Sequence, residues 1–137
     1  MTPQKTPIEA LAEFLGAEPS EIDGSDEPSF TFGREEYLVL TDNQADAHAR
    51  EYITNSAWAF TKSFLDSHSE AINELDEKSF RGLQEGCEGS NKAILKMIDD
   101  VDHFVSDAIS SDGRGHFLSG YDGEENEEGD YFIYRIN

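Results

Sequence analysis

The chain ends in a short aromatic segment, residues 131–136, that directly follows a dense run of acidic residues. Tyr, Phe and Ile dominate this segment, which is typical of a β-strand. A terminal strand needs a partner strand from elsewhere in the chain. Residues 29–32 and 37–40 are short β-rich runs, and we expect them to form a hairpin with a four-residue turn. The terminal strand then completes a three-stranded antiparallel sheet.

Apolar residues at helical spacing predict two long helices, over residues 42–66 and 91–110. A capping box at residues 6–9 predicts a short first helix that ends at Gly16, and further short helices are expected over residues 69–75 and 76–84. Residues 17–28 and the Gly-rich stretch after residue 110 are expected to be loops. The predicted fold is α+β: the small sheet, formed by residues 29–40 and 131–136, packs against the helices in one globular domain, residues 1–137.

The chain of 137 residues has 30 acidic and ten basic residues, a formal net charge of −20. This charge opposes binding to nucleic acid or to an anionic membrane, so the expected partners are basic proteins. A single cysteine excludes an internal disulfide. Neither a signal peptide nor an apolar run of membrane-spanning length is recognisable, which favours a cytoplasmic location.

The acidic residues are unevenly distributed along the chain. Residues 9–27 contain seven acids and no base, and residues 99–130 contain eleven acids with only Arg114 against them. Between residues 50 and 96, eight acids face six bases. Two acidic blocks around a balanced middle favour recognition of a partner over a uniformly acidified surface, although adaptation to high salt remains an alternative.

Three stretches could carry metal or anion chemistry. Asp99, His103 and Asp107 are spaced to share one helix face and are weak candidates for metal ligands. Residues 122–133 resemble a calcium loop but lack its diagnostic Gly and Glu. Arg114 and His116, between glycines, either grip a phosphate or serve the turn, with Arg114 paired to a local carboxylate. Because no catalytic motif is present, we predict no enzyme activity, no catalytic residue and no cofactor.

The end of the chain is also the part that carries a family resemblance. Residues 115–127, with the segment Tyr-Asp-Gly-Glu-Glu-Asn-Glu, and the closing aromatic strand resemble the ends of small, uncharacterised acidic proteins of phages and other mobile elements. The resemblance covers about the last quarter of the chain and implies no particular activity or site.

The leading hypothesis is a DNA mimic of the phage anti-defence or host-takeover type. Such a protein binds a basic, nucleic-acid-binding host or defence protein and inhibits it with carboxylates in place of phosphates. The expected partner-binding residues are Asp99, Asp100, Asp102, Asp107, Asp122, Glu124, Glu125, Glu127 and Glu128. Two alternatives stay open: an acidic structural module that forms homo-oligomers, and a divalent-metal enzyme that uses the helix acids with His103 and His116.

Overall fold

A computed structural model of the chain describes residues 5–137; residues 1–4, part of the expected 1–137 domain, lie outside the described region. The helices are α1 (Pro7–Leu15), α2 (Asp42–Asn55), α3 (Lys62–Asp66), α4 (Glu70–Glu74), α5 (Glu77–Gln84), α6 (Glu88–Met97), α7 (Val101–Asp112) and α8 (Arg114–Leu118). The strands are β1 (Ile22–Asp26), β2 (Ser29–Phe32), β3 (Glu35–Thr41), β4 (Asn126–Glu128) and β5 (Tyr131–Arg135). The fold is α+β with an antiparallel sheet, as the sequence predicts.

The chain divides into two compact units. The sheet unit comprises residues 1–49 and 112–137, and the helical unit comprises residues 50–111. Helix α2 begins in the first and ends in the second. No helix within residues 5–137 combines the length and the apolar character needed to cross a membrane.

The sheet has five strands in the order β1-β2-β3-β5-β4, and every neighbouring pair is antiparallel. The pairing of β5 with the hairpin is confirmed, with Val39 opposite Ile133. The expected number of three strands is wrong, because β1 and β4 extend the sheet at its two edges. The prediction of a loop over residues 17–28 is also wrong, because β1 lies within this stretch.

The two missed strands contain few apolar residues. In β1 only Ile22 is buried, and β4 consists of Asn126, Glu127 and Glu128. An edge strand pairs on one side only and can leave most side chains in water, so its sequence need not show the apolar alternation of a central strand. Backbone pairing places these two acidic segments in the sheet.

The β2–β3 turn is tighter than expected. Phe32 pairs directly with Glu35, which leaves a two-residue turn of Gly33 and Arg34 instead of four residues. Gly33 has a φ of 61°, the conformation that a type II′ hairpin turn requires at its first central position.

Helix α1 packs on one face of the sheet. Its predicted capping box is confirmed: the Thr6 hydroxyl accepts from the Glu9 backbone N–H, and the Glu9 carboxylate accepts from the Thr6 N–H. Gly16 ends the helix in a left-handed conformation. The core between helix and sheet contains Ala10, Leu11, Ala12, Ile22, Phe30, Tyr37, Val39, Tyr131 and Ile133.

The predicted helix over residues 42–66 is interrupted after Asn55. A 3₁₀ turn, Ala57–Ala59, separates α2 from α3. The Asn91 side chain accepts from the Trp58 N–H and donates to the Thr54 carbonyl, and the Gln84 amide donates to the Trp58 and Phe60 carbonyls. Side chains more than twenty residues away thus satisfy the backbone groups that the break leaves unpaired.

The predicted helix over residues 91–110 is also two helices, α6 and α7, separated by an extended residue, Ile98. The helix-type spacing of Ile94, Ile98, Val101 and Val105 continues across the break, so periodicity alone could not reveal it. Helix α6 begins at Glu88, three residues before the predicted start at residue 91. The short helices α4 and α5 match their predicted positions. Helix α8 replaces part of the loop expected after residue 110.

Candidate acidic binding surfaces

Most of the net charge belongs to the sheet unit. It contains 18 acidic and four basic residues, a formal charge of −14, whereas the helical unit contains 12 acidic and six basic residues, a charge of −6. The imbalance seen along the sequence therefore becomes an imbalance between units.

Three of the four cations of the sheet unit are paired with carboxylates of the same unit. Lys5 binds Glu13, Arg135 lies 3.4 Å from Glu35, and Arg114 binds three carboxylates. The fourth cation lies in the exposed β2–β3 turn. Since the bases are few and largely paired, most carboxylates in the described part of this unit are exposed and form no ion pair with Lys or Arg.

Arg114 is the centre of an internal charge cluster. Its Nη1 atom donates to Asp42 at 2.8 Å and to Asp46 at 3.0 Å, and its Nε atom donates to Glu125 at 2.8 Å. The guanidinium lies over the Phe132 ring, 4.6 Å from the centroid, and the side chain is only 10% exposed. Burial alone would lower the pKa of Arg114, but the hydrogen bonds to Glu125 and Asp42 outweigh burial and raise it. Arg114 thus joins the start of α2 to the acidic segment before β5.

Glu125 belongs to this cluster rather than to a free acidic surface. Besides Arg114, its carboxylate accepts a short hydrogen bond from the hydroxyl of the fully buried Tyr134. Burial, and then this hydrogen bond, raise the pKa of Tyr134. The carboxylate of Glu125 is therefore an internal contact of the fold.

Asp122 fixes the turn that begins the C-terminal acidic run. Its carboxylate accepts from the Glu124 backbone N–H at 3.0 Å and lies 2.8 Å from the Ser119 hydroxyl. These two hydrogen bonds lower the pKa of Asp122, the first more than the second. Glu124 and Glu127 follow as exposed residues, and Glu128 is half-buried at the edge of the sheet. The acidic run is thus an ordered turn and edge strand.

Gly115 allows this turn to pack closely on α8. A methyl group at Gly115 would lie 2.5 Å from the Gly123 carbonyl oxygen and 2.9 Å from the Glu125 backbone nitrogen. Both contacts are with backbone atoms, which cannot move aside as a flexible side chain can. The position of the acidic turn therefore depends on the absence of a side chain at residue 115.

Three aspartates of the helical unit lie at the junction of α6 and α7. Asp99 accepts from the backbone N–H of Glu70 at 3.1 Å, and Asp100 accepts from that of His103 at 3.2 Å. Asp102 binds Arg50 at 2.5 Å, with its side chain still 83% exposed. All three are exposed and held by specific contacts.

Asp107 lies against a buried histidine. The Nε2 atom of His68, a residue only 4% exposed, is 2.7 Å from an Asp107 carboxylate oxygen. The ring of His103, another candidate metal ligand, packs on the His68 ring at 5.0 Å between centroids. Within residues 5–137, no three His, Cys, Asp or Glu side chains are arranged to hold a metal ion together.

The contacts of Arg114 decide between the two interpretations given for Arg114 and His116. Arg114 binds carboxylates, which is the second of the two interpretations, while His116 is exposed in the five-residue helix α8. Sequence reasoning missed Asp42 and Asp46 as partners of Arg114, because they lie 72 and 68 residues away. The only local signal is that residues 41 and 42, Thr and Asp, are of the types that cap helices.

Comparison of the chain with family models, curated proteins and solved structures finds no significant match.

Proposed function

We propose that the chain is a non-enzymatic acidic protein that binds a basic, nucleic-acid-binding partner in the cytoplasm. It would inhibit that partner by presenting carboxylates where the partner receives phosphates. If the chain is a phage-type protein, as the resemblance of its last quarter suggests, the target would be a host or defence protein. The observation that carries the proposal is the charge of −14 on the sheet unit, whose few cations are mostly paired internally.

The contact residues of this proposal are the members of the acidic set that contact neither Arg114 nor His68. In the sheet unit they are Asp122, Glu124, Glu127 and the half-buried Glu128; in the helical unit they are Asp99, Asp100 and Asp102. Glu125 and Asp107 make contacts inside their units, with Arg114 and His68. We assign them to the support of the fold.

Ordered carboxylates favour such binding. A charge fixed by backbone hydrogen bonds, as at Asp99 and Asp100, loses less conformational freedom on complex formation than one on a mobile tail. Complementary charge accelerates the encounter of two proteins. This attraction weakens as salt screens it, with a Debye length of about 10 Å at 0.1 M salt. Binding should therefore be strong at low salt and compete with DNA.

The test is affinity capture from an extract of the source cells, with double-stranded DNA as competitor. We expect a nucleic-acid-binding protein to be retained at low salt and released by added DNA. Glu124→Lys with Glu127→Lys should lower the recovery at least about tenfold, since each reversal replaces attraction by repulsion. Asp99→Asn with Asp100→Asn retains the two hydrogen-bond acceptors and tests the charge of the helical unit separately.

The matched control reverses two exposed glutamates outside the proposed surfaces, Glu51→Lys with Glu74→Lys. It changes the net charge by the same amount and should leave most of the recovery intact. Equal loss in test and control variants would mean that only total charge matters. Retention that neither the DNA nor the test variants reduce would contradict mimicry.

A further inference from the structure

The sheet unit contains a cleft of about 590 Å³ that the acidic surfaces do not include. Pro7 and Pro28 line it together with Glu27, Val39, His48 and Tyr131. Val39 is 2% exposed and so lies at the floor of the cleft, whereas Glu27 is exposed. Concave sites with an apolar floor and a few convergent polar groups are the usual form of a ligand site.

Three polar groups of the cleft are not used by the fold. Within residues 5–137, the structure contains no hydrogen bond to the Glu27 carboxylate, the His48 ring or the Tyr131 hydroxyl. Every buried side-chain polar atom of the described region has a hydrogen-bond partner, whereas the Tyr131 hydroxyl has none. The hydroxyl therefore reaches solvent, although Tyr131 as a whole residue is only 9% exposed. By contrast Gln44, also at the cleft, is engaged with the Thr41 backbone. Each of the three unused groups can accept a hydrogen bond.

The charge of the cleft selects a cation. Among the lining residues that the structure describes, Glu27 is the only carboxylate and none is Lys or Arg. The surrounding sheet unit has a formal charge of −14. An anionic ligand would meet one fixed charge of its own sign and no compensating cation.

We infer that this cleft binds an arginine side chain of the basic partner. A guanidinium offers five donors in one plane, which suits the acceptors on Glu27, His48 and Tyr131. The methylene stem would lie along Pro7, Pro28 and Val39, as long basic side chains do on apolar surfaces. The inference rests on the proposed function and adds a specific pocket to its charge-based binding.

The test is an NMR titration of the full chain with Nα-acetyl-arginine methylamide, using the uncharged citrulline analogue as the matched ligand. We expect saturable shifts of backbone amides around residues 27–28, 39 and 131, and weaker binding of the citrulline compound. Glu27→Gln should lower the affinity for the arginine compound about fivefold, the upper value for an exposed ion pair. Tyr131→Phe should lower it by a smaller factor.

Glu74→Gln is the control, because it makes the same chemical change at an exposed site of the helical unit. Equal affinity for the two ligands, shifts spread over the acidic surfaces, or unchanged binding by Glu27→Gln would overturn the inference. If Glu27→Gln still captures a DNA-competed partner at full yield, the cleft inference fails while the proposed function stands. If the arginine compound binds in the cleft but no partner is captured, the cleft is an arginine site while the proposed function fails.

Discussion

At the scale of single residues, Arg114 compensates the negative charge of a cluster of carboxylates in the sheet unit. Three carboxylates converge on one largely buried guanidinium, and two of them come from α2. Without this cation, Asp42, Asp46 and Glu125 would repel one another around a buried tyrosine hydroxyl. One residue therefore holds an acidic helix start and an acidic turn together.

Arg114→Gln should lower the free energy of unfolding by about 2 kcal/mol, because it leaves the partly buried Glu125 carboxylate uncompensated, whereas Asp42 and Asp46 stay largely exposed to water. Urea denaturation measures this change. Arg34→Gln, in the exposed β2–β3 turn, removes the same charge and should change stability by less than about 0.5 kcal/mol. Part of the Arg114→Gln loss should be recovered in about 1 M salt, which screens the repulsion. Equal stability of the two variants would disprove the role given to Arg114.

The raised pKa of Tyr37 should make the protein less stable at alkaline pH. Burial, and then its hydrogen bond to Glu35, raise the pKa of Tyr37 to about 12. In the unfolded chain the pKa is about 10, so the neutral phenol is favoured by folding. This contribution is complete below about pH 10 and is lost as the pH rises towards 12. Between these values, the free energy of unfolding should fall more steeply for the wild type than for Tyr37→Phe, by at most about 1.4 kcal/mol per pH unit. Parallel curves would contradict the assignment.

At the scale of elements, the acidic segments are ordered because neighbouring elements fix their backbones. The turn after α8 depends on the contact at Gly115, and β4 is held by its pairing with β5. The break between α2 and α3 follows the same rule, since the side chains of Asn91 and Gln84 replace the missing helical hydrogen bonds.

Two glycine substitutions separate close packing from helix propensity. Gly115→Ala should destabilise the protein by about 1–3 kcal/mol, because its methyl group overlaps the backbone of residues 123–125. Gly82→Ala, inside α5 with open space around the added methyl, should stabilise the protein by up to about 1 kcal/mol. Thermal denaturation of both variants gives the signs. Two changes of the same sign would refute the packing argument.

The parts of the fold that the sequence predicts are those with local signals. The capping box at Thr6 and Glu9, the hairpin strands and the aromatic strand β5 each carry their pattern within a few residues. Edge strands β1 and β4 do not, because backbone pairing alone defines them. The ends of the helices depend on partners distant in sequence, such as Asn91 for Trp58. The internal role of Glu125 depends likewise on which cation the fold places beside it.

At the scale of the whole molecule, the sheet unit is strongly acidic and the helical unit only moderately so. A uniformly acidified surface would distribute the excess charge more evenly between the units. The concentration of charge, together with ordered exposed carboxylates, supports the proposed recognition of a basic partner, whose main contacts we expect in the sheet unit.

The most direct measurement is the displacement of labelled DNA from the captured partner, followed by fluorescence anisotropy as this protein is added. We expect complete displacement of the DNA at about one copy of this protein per DNA-binding site, and weaker displacement at higher salt. Glu124→Lys with Glu127→Lys should cause a large loss of potency. A complex that holds the DNA and this protein together would contradict the claim that carboxylates occupy the phosphate positions.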